Sequence, residues 1–261
     1  MQFQWPVISV GKDSLELFAL LRSVYNNDIA ALAIKNFWSK EKCQRAVEVI
    51  TEHGFNYYKG VYPPIGRIGI TQFEHRADDE EELRYLDKAP SANATRANLF
   101  RESGDPVSDV IHLLHRFTDA HIAVESNKKQ YFAGLVRNIH EALLHLDFAP
   151  RDAVGWDISK ILAQASWNII LQDAESGGQT VVYRHLWNQE DESKKVPTSY
   201  GYSMELVRDC PEAVITGEVG DFIVFNSRNF HRVLPTQGDR LRLTVSSFIG
   251  LTKSDTLLFW S

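Results

Sequence analysis

Of the nine histidines in this 261-residue chain, one opens a His-x-Asp triplet, His145-Leu146-Asp147. Side chains two apart on a β-strand share a face, so this imidazole and carboxylate can reach one metal ion. A lone triplet of this kind also arises by chance on a surface strand. Its weight comes from a distant segment, GDFIVFNSRNFHRVLPTQGDRLRLTVSSFIG, where a Gly-Asp turn precedes an apolar strand and then His231. A further turn and a strand carrying Arg240, Arg242 and Thr244 follow. Two imidazoles and one carboxylate on one face of an octahedron leave three positions open, which suits non-haem iron(II). Zinc prefers a closed or four-coordinate site. The two arginines share a strand face, and a guanidinium fork pairs bidentately with a carboxylate and stays charged when desolvated. His140, in a turn, reads as solvent-exposed, and His112, His115, His121 and His185 read as helix-face and strand-edge residues.

The elements that must position these groups follow from periodicity. Residues 13–26 repeat apolar positions at helical spacing, and 28–37 read as a buried strand. Ser39 stands as the N-cap of KEKCQRAVEVITEHGF, which Gly54 stops. Residues 57–106, aromatic and Pro/Gly-punctuated and then strongly charged, are expected to form loops and a short helix. Residues 107–124 return to helical spacing, with Val110, Leu113, Leu114 and Phe117 on one stripe. After Gln130, short β-branched runs alternate with turns, which predicts strands near 131–137, 142–147, 167–172, 178–184, 213–216, 221–225 and 241–249. Residues 187–210 are the best candidate for a mobile loop.

Composition narrows the classes. Hydrophobic residues make up 44% and charged residues 24%, as in a folded water-soluble protein, and 261 residues fit one domain. A net charge of −6 without a basic stripe argues against a nucleic-acid partner. Cys43 and Cys210 form neither a disulfide framework nor a thiolate zinc pair. The amino-terminal stretch lacks the pattern of a signal peptide, and no run approaches the ~18 apolar residues of a membrane span. A cytoplasmic protein, monomer or homodimer, is expected.

From about residue 130 to 250 the chain resembles the iron(II)- and 2-oxoglutarate-dependent dioxygenase superfamily, with a looser echo at 28–54. The resemblance implies a mainly β fold with flanking helices, a double-stranded β-helix (jelly-roll, cupin-like) barrel in which residues 131–250 carry the site and 1–130 support it. It implies iron held by His145, Asp147 and His231. The position nine after the distal histidine implies Arg240 as the clamp for 2-oxoglutarate, with Arg242 the alternative and Thr244 a hydroxyl partner. The segment SWNIILQDAESGGQTVVYRHLW resembles the family's middle hairpin, making Trp167, Asn168 and Thr180 pocket candidates, the last two as hydrogen-bond partners of 2-oxoglutarate. FAGLVRNIHEALLHLD resembles the strand-turn-strand preceding the metal pair in small stand-alone oxygenases and carrier-free halogenases, which points Arg137 toward substrate or co-substrate. Tyr57, Tyr58, Tyr62, Arg67, Trp187 and Tyr200 are loop residues that could contact substrate. The implied reaction consumes dioxygen and 2-oxoglutarate, releases succinate and carbon dioxide, and hydroxylates an unactivated C–H bond of an amino acid or natural product. In the related halogenases a small residue replaces the carboxylate, so Asp147 favours hydroxylation. Desaturation, dealkylation, and a metal-binding barrel without catalysis are the competing readings.

Overall fold

The structure is a computed structural model that describes residues 5–77 and 79–261. The first four residues of the stretch read for a targeting signal, and Asp78 in the charged segment, lie outside the described residues. In chain order the elements are β1 (Val7–Val10), α1 (Leu17–Tyr25), β2 (Ala31–Ile34), α2 (Lys40–His53), β3 (Asn56–Tyr57), β4 (Ile65–Ile68), α3 (Asp79–Leu99) and α4 (Pro106–His115). Then come β5 (Ala120–Ile122), β6 (Leu135–Ile139), β7 (Ala142–His145), α5 (Ala149–Asp152), β8 (Ala163–Gln172), β9 (Ser176–Gly177), β10 (Thr180–Leu186) and β11 (Glu212–Ile215). The chain ends with β12 (Phe222–Phe225), β13 (Asn229–Val233), β14 (Thr236–Gln237), β15 (Leu243–Leu251) and β16 (Leu257–Trp260). The fold is mainly β with flanking helices.

The helices follow local chemistry. The Ser39 hydroxyl accepts a hydrogen bond from the Lys42 backbone N–H at 3.3 Å, satisfying a free donor of α2, and Gly54 ends the helix at φ 75°. Asp105 caps α4 in the same way, through Val107 N at 3.0 Å. The predicted helix over 107–124 stops at His115, and the chain re-enters as β5. The expected loops of 57–106 contain instead the 21-residue helix α3, which runs through Pro90. Its buried residues Tyr85, Leu86, Ala89 and Ala92 recur at helical spacing, while Arg84 pairs with Glu80 at 2.6 Å on the solvent side. Burial against Tyr131 and Trp156 outweighs the one hydrogen bond that the proline removes.

The larger sheet runs β1-β2-β12-β8-β15-β6-β4-β3, with β16 beside β15 and β5 beside β16, and the smaller runs β11-β10-β13-β7. Among the described residues, parallel pairing is confined to β1/β2 and β5/β16. Alternation along β8 divides the molecule. Ala165, Trp167, Ile169 and Leu171 pack with Leu17, Leu21 and Val24 of α1 and Cys43, Ala46 and Ile50 of α2 in the main core. Ser166 and Asn168 point the other way, toward the smaller sheet. Trp167 is therefore a core residue rather than a pocket residue, its ring 5.8 Å from that of Phe222.

The turn before β12 has no room for a side chain. Gly220, at φ +94°, donates its N–H to Ile170 at 2.8 Å and accepts from Trp38 N at 2.9 Å. A Cβ there would stand 2.1 Å from the Trp38 carbonyl oxygen. The next residue, Asp221, is buried and pairs with Lys35 at 2.5 Å. Gly220→Ala is expected to lower stability by ~2–4 kcal/mol, read as a lower urea midpoint at unchanged slope. A change within ~0.5 kcal/mol, the range of a neutral surface change, would contradict this packing.

Candidate metal centre

His145 ends β7 and His231 sits in the middle of β13, directly opposite it in the antiparallel register. Their ring centroids are 4.2 Å apart. Nδ1 of His145 lies 2.7 Å from the Leu143 carbonyl, and Nδ1 of His231 lies 2.9 Å from the Asn229 carbonyl. A carbonyl only accepts, so each Nδ1 carries the proton and each Nε2 offers its lone pair. Those Nε2 atoms stand 3.9 Å and 3.5 Å from Oδ2 of Asp147, and the three donor atoms fall within 4.8 Å of one another.

Asp147 lies just past the end of β7 and is held by its backbone. Its N–H donates to the Ser227 carbonyl at 2.9 Å, and its own carbonyl accepts from Ser227 Oγ at 3.0 Å and Gln164 Nε2 at 3.2 Å. Burial, and then the charge of His231, pulls the His145 imidazolium down to about 4. Burial works to raise the Asp147 carboxyl. Its contacts with His231 and His145 and the charge of Arg137 outweigh it and hold the carboxyl well below the usual range. At neutral pH His145 is thus a neutral imidazole and Asp147 a carboxylate. That donor set fits iron(II) on one face with its other positions free.

The three groups open into a cavity of about 180 Å³ between the two sheets. Ser166 and Asn168 of β8, Arg137 and Ile139 of β6, Arg242 and Phe248 line it from the larger sheet. Ala142, Thr180 and Val233 line it from the smaller. A second cavity of about 270 Å³ adjoins it through Asn168, Thr180, Phe225 and Arg242. Arg242 lies against the Gly177-Gly178 turn, where a Cβ on Gly178 would stand 2.7 Å from its Cδ. Desolvation pulls the Arg242 guanidinium down to about 10, against the opposing charge of Asp173, and it remains a cation at neutral pH. Thr244, buried, lines the second cavity, and its hydroxyl has no hydrogen-bond partner.

Several expected residues are not brought to the site: Trp167 packs in the main core, and Tyr57, Arg67 and Trp187 line neither cavity. Arg240 is spent outside both cavities, donating to the carbonyls of Asp173 at 2.8 Å and Ala174 at 2.7 Å. Tyr62 is 81% exposed and lines neither cavity. His140 is exposed, and His185 pairs with Asp191 at 3.1 Å away from the cluster. Sequence reasoning passed over Arg76, Arg151, Asp152, Tyr202 and Trp260, all of which line the cavity. The expected mobile loop 187–210 is tied to the site. The Tyr200 hydroxyl accepts from Leu143 N at 2.8 Å with its ring edge-on to His145, and Tyr202 bonds Arg151 at 2.7 Å and Glu192 at 2.8 Å.

A pH dependence follows. The His145 value falls from 6.5 to about 4 on folding, so between those limits the unfolded chain binds a proton that the folded chain refuses. The stability this contributes is complete above pH 6.5 and is lost as pH falls toward 4. The metal-free protein should lose about 3 kcal/mol through His145 over that window, and His145→Ala should flatten the slope of urea-unfolding stability against pH by that amount. An identical slope in the variant would contradict the burial described here.

The family model described as carrier-protein-independent halogenase WelO5 matches residues 10–261. "Leucinostatins biosynthesis cluster protein S" of Purpureocillium lilacinum is 38% identical over 220 residues, covering 78% of this chain and 89% of that protein. L-gamma-glutamyl-L-propargylglycine hydroxylase of Streptantibioticus cattleyicolor is 27% identical over 206 residues, covering 77% of this chain and 76% of that protein. Among solved structures, an N-substituted L-amino acid dioxygenase from Burkholderia ambifaria AMMD shares the fold, with a TM-score of 0.66 at 14% identity over 94% of this chain and 91% of that one. The chain belongs to the carrier-protein-independent halogenase WelO5 family, within the iron(II)- and 2-oxoglutarate-dependent dioxygenases, and is an enzyme that uses iron(II), 2-oxoglutarate and dioxygen.

Proposed function

We propose that this enzyme hydroxylates an unactivated C–H bond of a small molecule, an amino acid or a natural product, releasing succinate and carbon dioxide. In this reading the facing sheets are the two halves of a double-stranded β-helix within a single domain, with the segment before residue 131 as its support. His145, Asp147 and His231 hold the iron, which with 2-oxoglutarate and dioxygen supplies the oxidant when bound. The observation that carries the reading is Arg242, a half-buried, desolvated guanidinium facing the triad's cavity with no acidic partner within ion-pair distance among the described residues. A barrel that merely stored metal has no use for a desolvated, unpaired cation there. The distal carboxylate of 2-oxoglutarate supplies its counter-charge, with Asn168, Thr180 and the unpartnered Thr244 hydroxyl as neutral hydrogen-bonding neighbours.

Asp147 argues for hydroxylation over the halogenation in the family's name. A carboxylate at that position takes the place a halide would need, and the tight backbone anchoring by Ser227 and Gln164 keeps it there. The hydroxylase named among the relatives supports the same outcome. No helix of the described residues is long and apolar enough to cross a membrane. Cytoplasmic residence and a monomer or homodimer belong to this reading.

Arg242→Ala should raise the 2-oxoglutarate concentration needed for binding by ~100-fold or more, since it strands a buried carboxylate. Arg240→Ala should change it by less than about threefold, as expected of a surface arginine. Calorimetric titration of both variants checks this, and the reverse ranking would move the clamp to Arg240. In turnover with chloride present, the product mass should rise by one oxygen, and a chlorinated product would remove the role given to Asp147.

A further inference from the structure

Five cationic side chains line the metal cavity: Arg76, Arg137, Arg151, Lys195 and Arg242. Two are neutralised by acids of the protein. Arg76 pairs with Asp152 at 2.9 Å, and Arg151 pairs with Asp152 at 3.0 Å and Glu192 at 2.9 Å. Arg242 is accounted for by the co-substrate in the reading above. Arg137 and Lys195 make no ion pair among the described residues. Lys195 stands on the 187–210 segment, whereas Arg137 is fixed on β6, on the face that also carries Ile139 into the cavity.

The position of Arg137 is electrostatically costly as it stands. Its cross-strand neighbour is Arg67, a second guanidinium, and like charges directly opposite each other repel. Arg67 is neutralised by Glu74 at 2.7 Å and lies over the Tyr58 ring, 4.9 Å from its centroid. Nothing does the same for Arg137. It lines the same cavity as His145, Asp147 and His231. Beside it the Tyr58 hydroxyl is buried, and among the described residues it meets the Arg137 guanidinium but finds no acceptor for its own proton. Burial raises the Tyr58 phenol above its ordinary value, so it stays a neutral O–H donor. A guanidinium with no acidic ion-pair partner among the described residues and a hydroxyl proton with no acceptor, side by side on the wall of the metal cavity, together make an anion site.

We propose that the substrate carries a free carboxylate, which Arg137 and the Tyr58 hydroxyl hold beside the metal triad. This rests on the oxygenase reading, and it narrows the substrate to carboxylic acids such as free or N-acylated amino acids and short peptides with an open C-terminus. In the reading above, Arg242 would hold the distal carboxylate of 2-oxoglutarate and the triad's metal its keto-acid end, which leaves Arg137 and Tyr58 to the substrate. The two donors lie to one side of the triad, so they fix which carbon along the substrate faces the iron.

The test uses the full-length enzyme loaded with iron(II) and 2-oxoglutarate. The probes are L-leucine, L-isoleucine, N-acetyl-L-leucine and γ-glutamyl-L-leucine, each beside its primary carboxamide. Binding is followed by calorimetry without oxygen, and succinate release with it. At least one acid should bind and accelerate succinate release while its amide does neither. Arg137→Gln should weaken binding of that acid by at least ~30-fold while changing 2-oxoglutarate affinity by less than about threefold. Arg137→Lys should recover part of the loss, Tyr58→Phe should cost less, and Lys195→Gln should keep the preference for acid over amide. Binding of acids and amides alike, silence from every acid, or loss of the preference in Lys195→Gln instead would overturn the proposal. So would a parallel loss of 2-oxoglutarate affinity in Arg137→Gln. Failure of the wild-type enzyme to bind 2-oxoglutarate at all would count instead against the oxygenase reading beneath it.

Discussion

The cross-strand pair His145–His231 is the constraint on which the rest of the structure depends. Two imidazoles must present lone pairs to one point while remaining uncharged, and nothing about a histidine alone guarantees either condition. Here the antiparallel register of β7 and β13 places them face to face, and backbone carbonyls two residues upstream of each take the Nδ1 protons. Shifting either strand by one residue would turn its histidine to the opposite face and remove the acceptor arrangement together. Asp147 then needs no strand of its own, because Ser227 and Gln164 hold its peptide where the chain leaves β7.

The larger sheet answers a different requirement. One face must bury apolar surface against helices, and the other must keep polar groups dry and directed. β8 and β15 do both by alternation. Trp167, Ile169, Val245 and Ile249 belong to the helix-side core, while Asn168, Arg242, Thr244 and Phe248 line the two cavities. The Gly177-Gly178 turn completes this arrangement, since only a residue without Cβ lets Arg242 lie flat against it on its way inward. The cavity keeps its cations either paired, as Arg76 and Arg151 are with Asp152, or waiting for an anion from solution.

What the sequence disclosed, and what it hid, has physical causes. The triad was legible because a His-x-Asp spacing carries chemistry at short range and the strand around His231 announces itself by apolar alternation. The arginine ranking was not legible by counting from His231. Both arginines have the parity of one strand face and both precede β15, which begins at Leu243, but Arg240 is captured by the carbonyls of Asp173 and Ala174 while Arg242, next to the strand, lines both cavities. Alternation along β8 does separate Trp167, among Ala165, Ile169 and Leu171, from Asn168, among Gln164, Ser166 and Gln172, but which of the two faces meets the metal depends on the pairing of distant strands. The helix α3 was hidden by its charge. Its acidic solvent face and Pro90 suppress the apolar signal, although Tyr85, Leu86, Ala89 and Ala92 carry it at the right spacing. Arg76, Asp152 and Arg151 were unreadable because their link to the site is made only in three dimensions.

The central claim is that one iron ion and one 2-oxoglutarate molecule meet between these two sheets, on His145, Asp147, His231 and Arg242. Anaerobic addition of iron(II) and then 2-oxoglutarate to the purified protein, followed by visible absorption, tests it most directly. The account predicts the weak charge-transfer band of an iron-bound keto acid, saturating at one iron per chain and absent from His231→Ala. Iron bound at that stoichiometry with no band at saturating 2-oxoglutarate would contradict it and leave a metal-binding protein without this chemistry.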